Sequence, residues 1–396
     1  MTNTLDVVFP SPVSRELHVL TLTPFYPTNH DDAVGCFIAE PLAALAESGI
    51  RNTVIAVEPV YRMRSRAHVS VPAVEWARYL SLPGGYGLPL AGAFLYARLV
   101  NRLRELHRRI KIDLIHAHAP LPCGHTAMLL QAELAIPYVV TVHGLDVFST
   151  VQVRGKAGEW CRRVSQNVFR NAGRVICVSE RVREKVLEGG GPSCCTAVVY
   201  NGVDPKLFQP VLREPASPVI LSIGNLIPTK GHELLLRAVG LLVPEFPSVS
   251  WEIIGEGPER GRLYSLAKEL RISGHVKFLG RRSRRQVADA LSRCTLFALP
   301  SRYEGLGCVY LEAMSSGKPA VACRGQGIAE VIRDGWNGFL VDPGNEEELA
   351  GIIGGLLHDS ARCGQIGKAA RSTILQGFTL TQQAESLSRI YRGCAG

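Results

Sequence analysis

The chain has 396 residues, enough for about two or three domains with a core in each, which excludes a disulfide-stapled mini-protein. Hydrophobic residues make up 46% and charged residues 20%, ordinary for a soluble α/β protein and too apolar for bulk disorder. The net charge of +9 is divided between the halves, with 21 basic against 17 acidic residues up to position 205 and 23 against 18 beyond it. With the excess spread in this way and no aromatic-basic platform visible, nucleic acid is not the expected partner.

No apolar run reaches the roughly 18 residues of a spanning helix, and residues 1–9 lack the basic and apolar regions of a signal peptide, so a cytoplasmic chain is expected. The eleven cysteines are scattered, without a CxxC pair or a Cys/His cluster at zinc spacing. They fit a reducing compartment, no metal site is expected, and the adjacent Cys194 and Cys195 are the one oddity.

In chain order, β-rich runs at 18–22, 53–57, 114–116, 138–142 and 174–178 alternate with helical patterns, the signature of a parallel sheet flanked by helices. A helix from near Phe37 carries Ile38, Leu42, Leu45 and Ala46 on one face and stops at Gly49. The apolar stretch 85–100 leads into a run in which Arg98, Arg102, Arg104, Arg108, Arg109 and Lys111 face a single Glu105. Segment 85–111 reads either as peripheral contact with an anionic membrane or as a buried helix with a solvated basic face. Pro205, Pro210, Pro215 and Pro218 mark a boundary within 204–218. Beyond it, strands are expected at 219–222, 251–254, 276–278, 296–299, 320–322 and 338–341. The fold class is α/β, with two Rossmann-like domains over 1–205 and 206–378 whose parallel sheets face each other across one ligand cleft. Neither GxGxxG after the first strand nor a GxxxxGK[ST] loop is present, which removes the main support for a dehydrogenase or P-loop ATPase.

The densest cluster of chemistry lies at 300–314, where a strand ends at Pro300, a glycine-containing loop follows and a helix starts near Cys308. Free amides at a helix start suit a phosphate, and Gly305 and Gly307 let the backbone approach one. Glu304 and Glu312 reach the same cleft. Carboxylates beside an anion site make sense when they accept from hydroxyls, and sugars supply hydroxyls; otherwise they are two unrelated surface acids.

Glu304, seven intervening residues and Glu312, followed by Ala313-Met314-Ser315-Ser316-Gly317-Lys318-Pro319, closely resemble the retaining GT-B glycosyltransferases, particularly family 4. Further matches are Thr141-Val142-His143-Gly144-Leu145-Asp146, Tyr200-Asn201-Gly202-Val203-Asp204, Lys230-Gly231, Gly255-Glu256-Gly257-Pro258 and Gly335-Trp336-Asn337-Gly338. The resemblance implies a metal-independent, retaining hexosyltransferase that uses a nucleoside diphosphate sugar, UDP- or GDP-linked, as donor substrate and needs no cofactor. Its acceptor would be a glycan or lipid-linked glycan in polysaccharide or glycolipid assembly. Glu312 would accept from the ribose hydroxyls, and Glu304 would hold the transferred sugar. Gly305, Leu306, Gly307 and Cys308 would run along sugar and diphosphate, and Lys230 would neutralise the leaving group.

The family's usual arginine after the strand-end glycine is here Asn225, which could donate a hydrogen bond to the donor but adds no charge. Leaving-group stabilisation would then lean on Lys230 and the helix dipole, with Arg281 or Arg302 as a candidate substitute. His143 would hydrogen-bond the transferred sugar or lie near the reacting carbon. His116 and His118 read as lining the acceptor side or as structural, and Asp146 as an acceptor-side residue or a helix N-cap. Gly35 would pack against the donor phosphates, and Gly325-Gln326-Gly327, with Glu330 following, would form another loop beside the donor. The tail 379–396, with Ala384, Leu387 and Ile390 at helical spacing, would cross back onto the first domain. Asn225 also motivates the alternative of a catalytically weak nucleotide-sugar-binding subunit.

Overall fold

The computed structural model describes residues 16–28, 32–61, 74–82, 87–144, 146, 153, 155–211 and 215–396. The readings made above on residues 1–9, Gly85, Tyr86 and Leu145 lie outside them.

The first sheet contains β1 (Leu17–Thr23), β2 (Ile50–Pro59), β3 (Val74–Tyr79), β4 (Leu114–His118), β5 (Tyr138–Val142), β6 (Arg174–Cys177) and β7 (Thr196–Val198), all parallel, in the order β3-β2-β1-β4-β5-β6-β7. Its inner strands are buried on both faces, hence the near-continuous apolar runs such as Tyr-Val-Val-Thr-Val in β5. The edge strands β3 and β7 escape a sequence reading for the opposite reason. Val-Glu-Trp-Ala-Arg-Tyr is half solvated, and Thr-Ala-Val is three residues long.

Helices α1 (Cys36–Glu47), α2 (Leu88–Ile110), α3 (His125–Leu134), α4 (Gly155–Asn171) and α5 (Glu180–Glu188) connect the strands. In α2, Leu95, Leu99 and Leu103 pack into the core, while Leu90 and Phe94 are exposed. Much of its basic charge is paired: Arg102 with Glu75, Arg104 with Glu133, and Arg108 and Arg109 with Glu105. The basic run is therefore less of a bare cation than its composition suggests. Among the described residues, no helix is long and apolar enough to cross a membrane.

The second sheet, β8 (Val219–Ile223), β9 (Ser250–Ile254), β10 (Val276–Gly280), β11 (Leu296–Ala298), β12 (Ala320–Cys323) and β13 (Phe339–Val341), is also all parallel, in the order β10-β9-β8-β11-β12-β13. Around it lie α6 (His232–Leu242), α7 (Arg260–Glu269), α8 (Arg284–Arg293), α9 (Cys308–Ser315), α10 (Glu346–His358) and α11 (Ser360–Gly377). The last helix, α12 (Leu380–Cys394), starts at a Thr379/Gln382 capping box and returns to the first sheet's domain. There Ala384, Leu387 and Tyr391 share a core with Ile38, Leu42 and Leu45 of α1. Burying a leucine-sized side chain is worth about 1.5–3 kcal/mol, so this face holds the tail down.

In each sheet the strand order reverses direction once, between β1 and β4 and between β8 and β11. Loops leaving the carboxyl ends on either side of such a point part company and leave a crevice. The crevices are therefore lined by the loops after β1 and β4 in one domain and after β8 and β11 in the other.

Candidate functional site

After β8 the chain runs through Gly224 and exposed Asn225 into a short turn, Pro228–Lys230, closed by Gly231 at φ 73°. A Cβ on Gly231 would lie 2.0 Å from the Pro300 carbonyl oxygen, so only glycine lets this turn press against the end of β11. That contact delivers Lys230. Its Nζ donates to Glu304 Oε1 at 2.5 Å, with the two side chains 20% and 12% exposed. Glu304 is in turn fastened by its backbone, the amide donating to Gln326 Oε1 at 3.1 Å and the carbonyl accepting from Gly327 at 3.3 Å.

Three residues on, Gly307 at φ 88° begins α9, and no side chain caps this helix. Its first amides and the positive end of its dipole therefore remain available to an anion. Leu306 is buried and anchors the loop in the core. Cys308 Sγ accepts from Asn201 Nδ2 at 3.2 Å, and burial pushes its thiol up to about 12.

Glu312, in the second turn of α9, is buried. Its Oε1 accepts from Arg284 Nη1 at 2.7 Å. Arg284 was not foreseen. The arginines expected to stand in for the missing charge at Asn225 are placed otherwise. Arg281 pairs with Glu256 at 3.6 Å, and exposed Arg302 is bound through its amide to the Thr229 carbonyl at 2.8 Å.

The other wall is a stack of histidines. His116 and His118 alternate on β4 with one residue between them, and His143 follows β5. His116 bonds Tyr391 Oη at 2.6 Å through Nδ1 and Thr141 Oγ1 at 2.7 Å through Nε2. His118 Nδ1 and His143 Nε2 are 3.1 Å apart, their rings stacked with centroids at 5.3 Å. Burial lowers all three titrations, His116 and His143 to about 3. Each ring is thus neutral at physiological pH.

Asp146 folds back to accept from the amides of His143 at 2.9 Å and Gly144 at 2.7 Å. Desolvation nevertheless pushes its carboxyl up to about 6, against the opposing pull of those amides. A cavity of about 20 Å³, room for one water, opens among these histidines, Phe37 and Tyr391. Gly35 caps α1 at φ 76°, where a Cβ would meet Tyr26 N at 2.6 Å. What the geometry requires of this glycine is the tight packing of its own loop.

The walls touch. A Cβ on Gly305 would lie 2.1 Å from the His143 carbonyl oxygen, and Ser179 Oγ donates to the Gly305 carbonyl at 2.6 Å. Glu330, expected beside the donor, instead reaches the other domain. It accepts from the amides of Glu180 and Arg181, both at 2.8 Å, and from Tyr200 Oη at 2.9 Å, capping α5 from across the boundary. No group of histidine, cysteine and carboxylate side chains suited to a metal occurs among the described residues.

Comparison with known proteins agrees with this architecture. Residues 36–207 match the family model described as Glycosyltransferase Family 4, and residues 203–373 the one described as Glycosyl transferases group 1. The uncharacterized glycosyltransferase MJ1178 of Methanocaldococcus jannaschii is 30% identical over 60% of this chain and 63% of its own length. The D-inositol 3-phosphate glycosyltransferase of Corynebacterium jeikeium is 30% identical over 71% of this chain and 72% of its own. Anabaena HepE, solved in complex with UDP and glucose, superposes with a TM-score of 0.76 at 23% identity, over 95% of this chain and all of that one. Two parallel-sheet domains, each matched by its own glycosyltransferase family model and joined where those matches meet, together with a 30% identical relative spanning 71% of the chain, make this chain a member of the GT-B glycosyltransferases of family 4.

Proposed function

We propose that the chain moves a sugar from a nucleoside diphosphate sugar, UDP- or GDP-linked, to a hydroxyl of a glycan or lipid-linked glycan in cell-surface polysaccharide or glycolipid assembly, with retention at the anomeric carbon. The observation that carries this reading is the Lys230–Glu304 pair, 2.5 Å apart, at the uncapped start of α9 with Glu312 just beyond. A cation, free amides and a helix dipole converge where a pyrophosphate would lie, and two carboxylates where hydroxyls would lie. The complex of Anabaena HepE with UDP and glucose supports such a donor, its uridine form in particular.

On this reading Gly305, Leu306, Gly307 and Cys308 follow the sugar and diphosphate, Gly35 approaches the phosphates from the other domain, and Glu312 accepts from the ribose. Cleavage of the C1–O bond leaves positive character on the sugar and adds negative charge to the diphosphate. Lys230 and the α9 amides are preorganised for that anion, and Lys230 takes a metal ion's part. The acceptor oxygen attacks the same face, and its proton passes to the departing phosphate. His143 faces the developing cation as a neutral ring, so burial spares the transition state a repelling charge. His116, His118 and Asp146 stand behind it on the acceptor side. Exposed Leu80, Leu82, Leu90 and Phe94, the last two on α2 ahead of its basic run, support peripheral contact with an anionic membrane at its cytoplasmic face.

Lys230→Ala should lower transfer by about 10²–10³-fold with the fold intact, and near-normal turnover would refute the assignment. Turnover that persists in EDTA supports metal independence, and its loss overturns it. Exposed Asn225, where the family pattern has arginine, favours the second reading, a binding subunit with little activity. Donor binding without acceptor-dependent release of nucleoside diphosphate would establish that alternative.

A further inference from the structure

Glu312 is buried, yet its Oε2 has no hydrogen-bond partner among the described residues, while Oε1 is held by Arg284. A purely structural ion pair would satisfy both oxygens, because a buried acceptor left unmade is expensive. The same guanidinium crosses the domain boundary. Its Nε donates to Glu40 Oε1 at 2.8 Å and its Nη2 to Glu40 Oε2 at 3.1 Å, a forked bond to α1. The Arg284 amide donates to Asp32 Oδ1 at 3.0 Å, and the guanidinium lies 4.8 Å from the ring centroid of Phe208, in the connection between the domains. Ser283 caps α8 and fixes Arg284 at the first turn of a second-domain helix, from which both its amide and its tip reach the first domain. One planar group with five donors serves two carboxylates at once, a geometry lysine does not reproduce.

We propose that Arg284 is a positioning residue that couples capture of the nucleoside diphosphate to closure of the two domains. It holds Glu312 Oε1, leaves Oε2 for a ribose hydroxyl, and completes its bonds only while Glu40 lies alongside. The inference rests on the donor-site reading above. Glu312 Oε2 is out of contact with solvent, and α1 of the first domain, carrying Cys36 and Glu40, stands over it. A ligand reaches Oε2 when α1 lifts, and lifting α1 breaks the Arg284–Glu40 fork. Closing the fork over an empty Glu312 leaves Oε2 buried and unpaired, whereas closing it over a ribose hydroxyl satisfies that oxygen, so bound nucleotide and closed domains favour each other.

The test is calorimetric titration of the full chain with UDP and, separately, GDP, alongside donor KM and kcat and the solution radius of gyration with and without nucleotide. Thermal melts monitor folding. Glu40→Gln and Arg284→Lys are each expected to weaken nucleoside diphosphate binding about tenfold or more, since hydrogen bonds to charged groups carry that much. Glu40→Gln should also remove the nucleotide-induced contraction. The Glu40→Gln/Arg284→Lys double variant should bind no worse than the weaker single variant, because both act through one fork. Arg284→Met should lose at least as much as Arg284→Lys; if it does not fold, the other variants carry the test. Wild-type affinity and KM in Glu40→Gln and Arg284→Lys, with Glu312→Gln impaired, would overturn the inference and leave the donor site standing. Wild-type affinity in Glu312→Gln would overturn the donor-site reading itself.

Discussion

A single methyl group added at Gly305 should wedge the two domains apart. Its Cβ would lie 2.1 Å from the His143 carbonyl oxygen. Carbon–oxygen contacts normally begin near 3.3 Å, an overlap of about 1.2 Å. Both sides of the clash are backbone, so no change of rotamer relieves it. Gly305 does not occupy the left-handed region, so alanine is not strained by its own φ and the effect is confined to the interface. Withdrawing the 304–307 loop far enough to clear His143 would stretch the Ser179–Gly305 bond from 2.6 Å to beyond hydrogen-bond range. Overpacking costs about 1–3 kcal/mol and the lost bond about 1 more, which lowers the closed population roughly 30- to 800-fold. The assay is kcat/KM for transfer by Gly305→Ala together with its radius of gyration in the presence of donor. Gly364→Ala, whose new methyl meets nothing within 4 Å, is the control. A Gly305→Ala enzyme within about threefold of wild type would refute contact between these walls in the productive state, since the overlap and the lost bond together predict at least about thirtyfold.

Tyr391→Phe removes the hydroxyl that bonds His116 and should cost about 1–3 kcal/mol in urea denaturation, because a buried ring nitrogen loses its partner. The buried histidines titrate below their unfolded value of 6.5, so the unfolded chain binds the extra protons. Their stabilising contribution is complete above about pH 6.5 and is lost on acidification toward pH 3, and His116→Gln should flatten part of that slope in denaturation midpoints measured against pH. Asp146 runs the other way: with its folded titration raised to about 6, its contribution is present below the unfolded value of 3.8 and lost as pH rises through 6, so Asp146→Asn should steepen the acid side. Gly351→Ala and Gly355→Ala on the exposed face of α10, where a Cβ meets nothing within 4 Å, should each raise stability by about 0.5–1 kcal/mol.

What a sequence displays depends on whether a residue's neighbours are set by its own element or by a distant one. The two-sheet architecture was legible because parallel strands buried on both faces must be apolar throughout, as in β5, and because chain punctuation falls between them. The half-solvated edge strand β3 and the three-residue β7 obey no such rule and were missed. Within one loop and helix, Gly305, Gly307 and the two glutamates could be placed because about two turns of chain fix their spacing. Lys230, 74 residues from Glu304, is named only through the family resemblance; no local spacing links the two, which meet because β8 and β11 are neighbours in one sheet.

Partners drawn from the opposite domain leave no local trace. Glu330 looks like a loop acid beside the donor, and only the docked domains reveal it as the cap of α5, 150 residues away. Arg284 is the extreme case. It sits in Arg281-Arg282-Ser283-Arg284-Arg285, where composition offers four equivalent cations. Arg284 is singled out by position, at the first residue of α8 behind its serine cap, aimed between a carboxylate 28 residues ahead and another 244 residues behind. The surrounding arginines face outward, and no pattern shorter than the whole fold distinguishes them. A charge pattern can announce that a cation is available, but which carboxylates it serves is decided by the packing of two domains against each other.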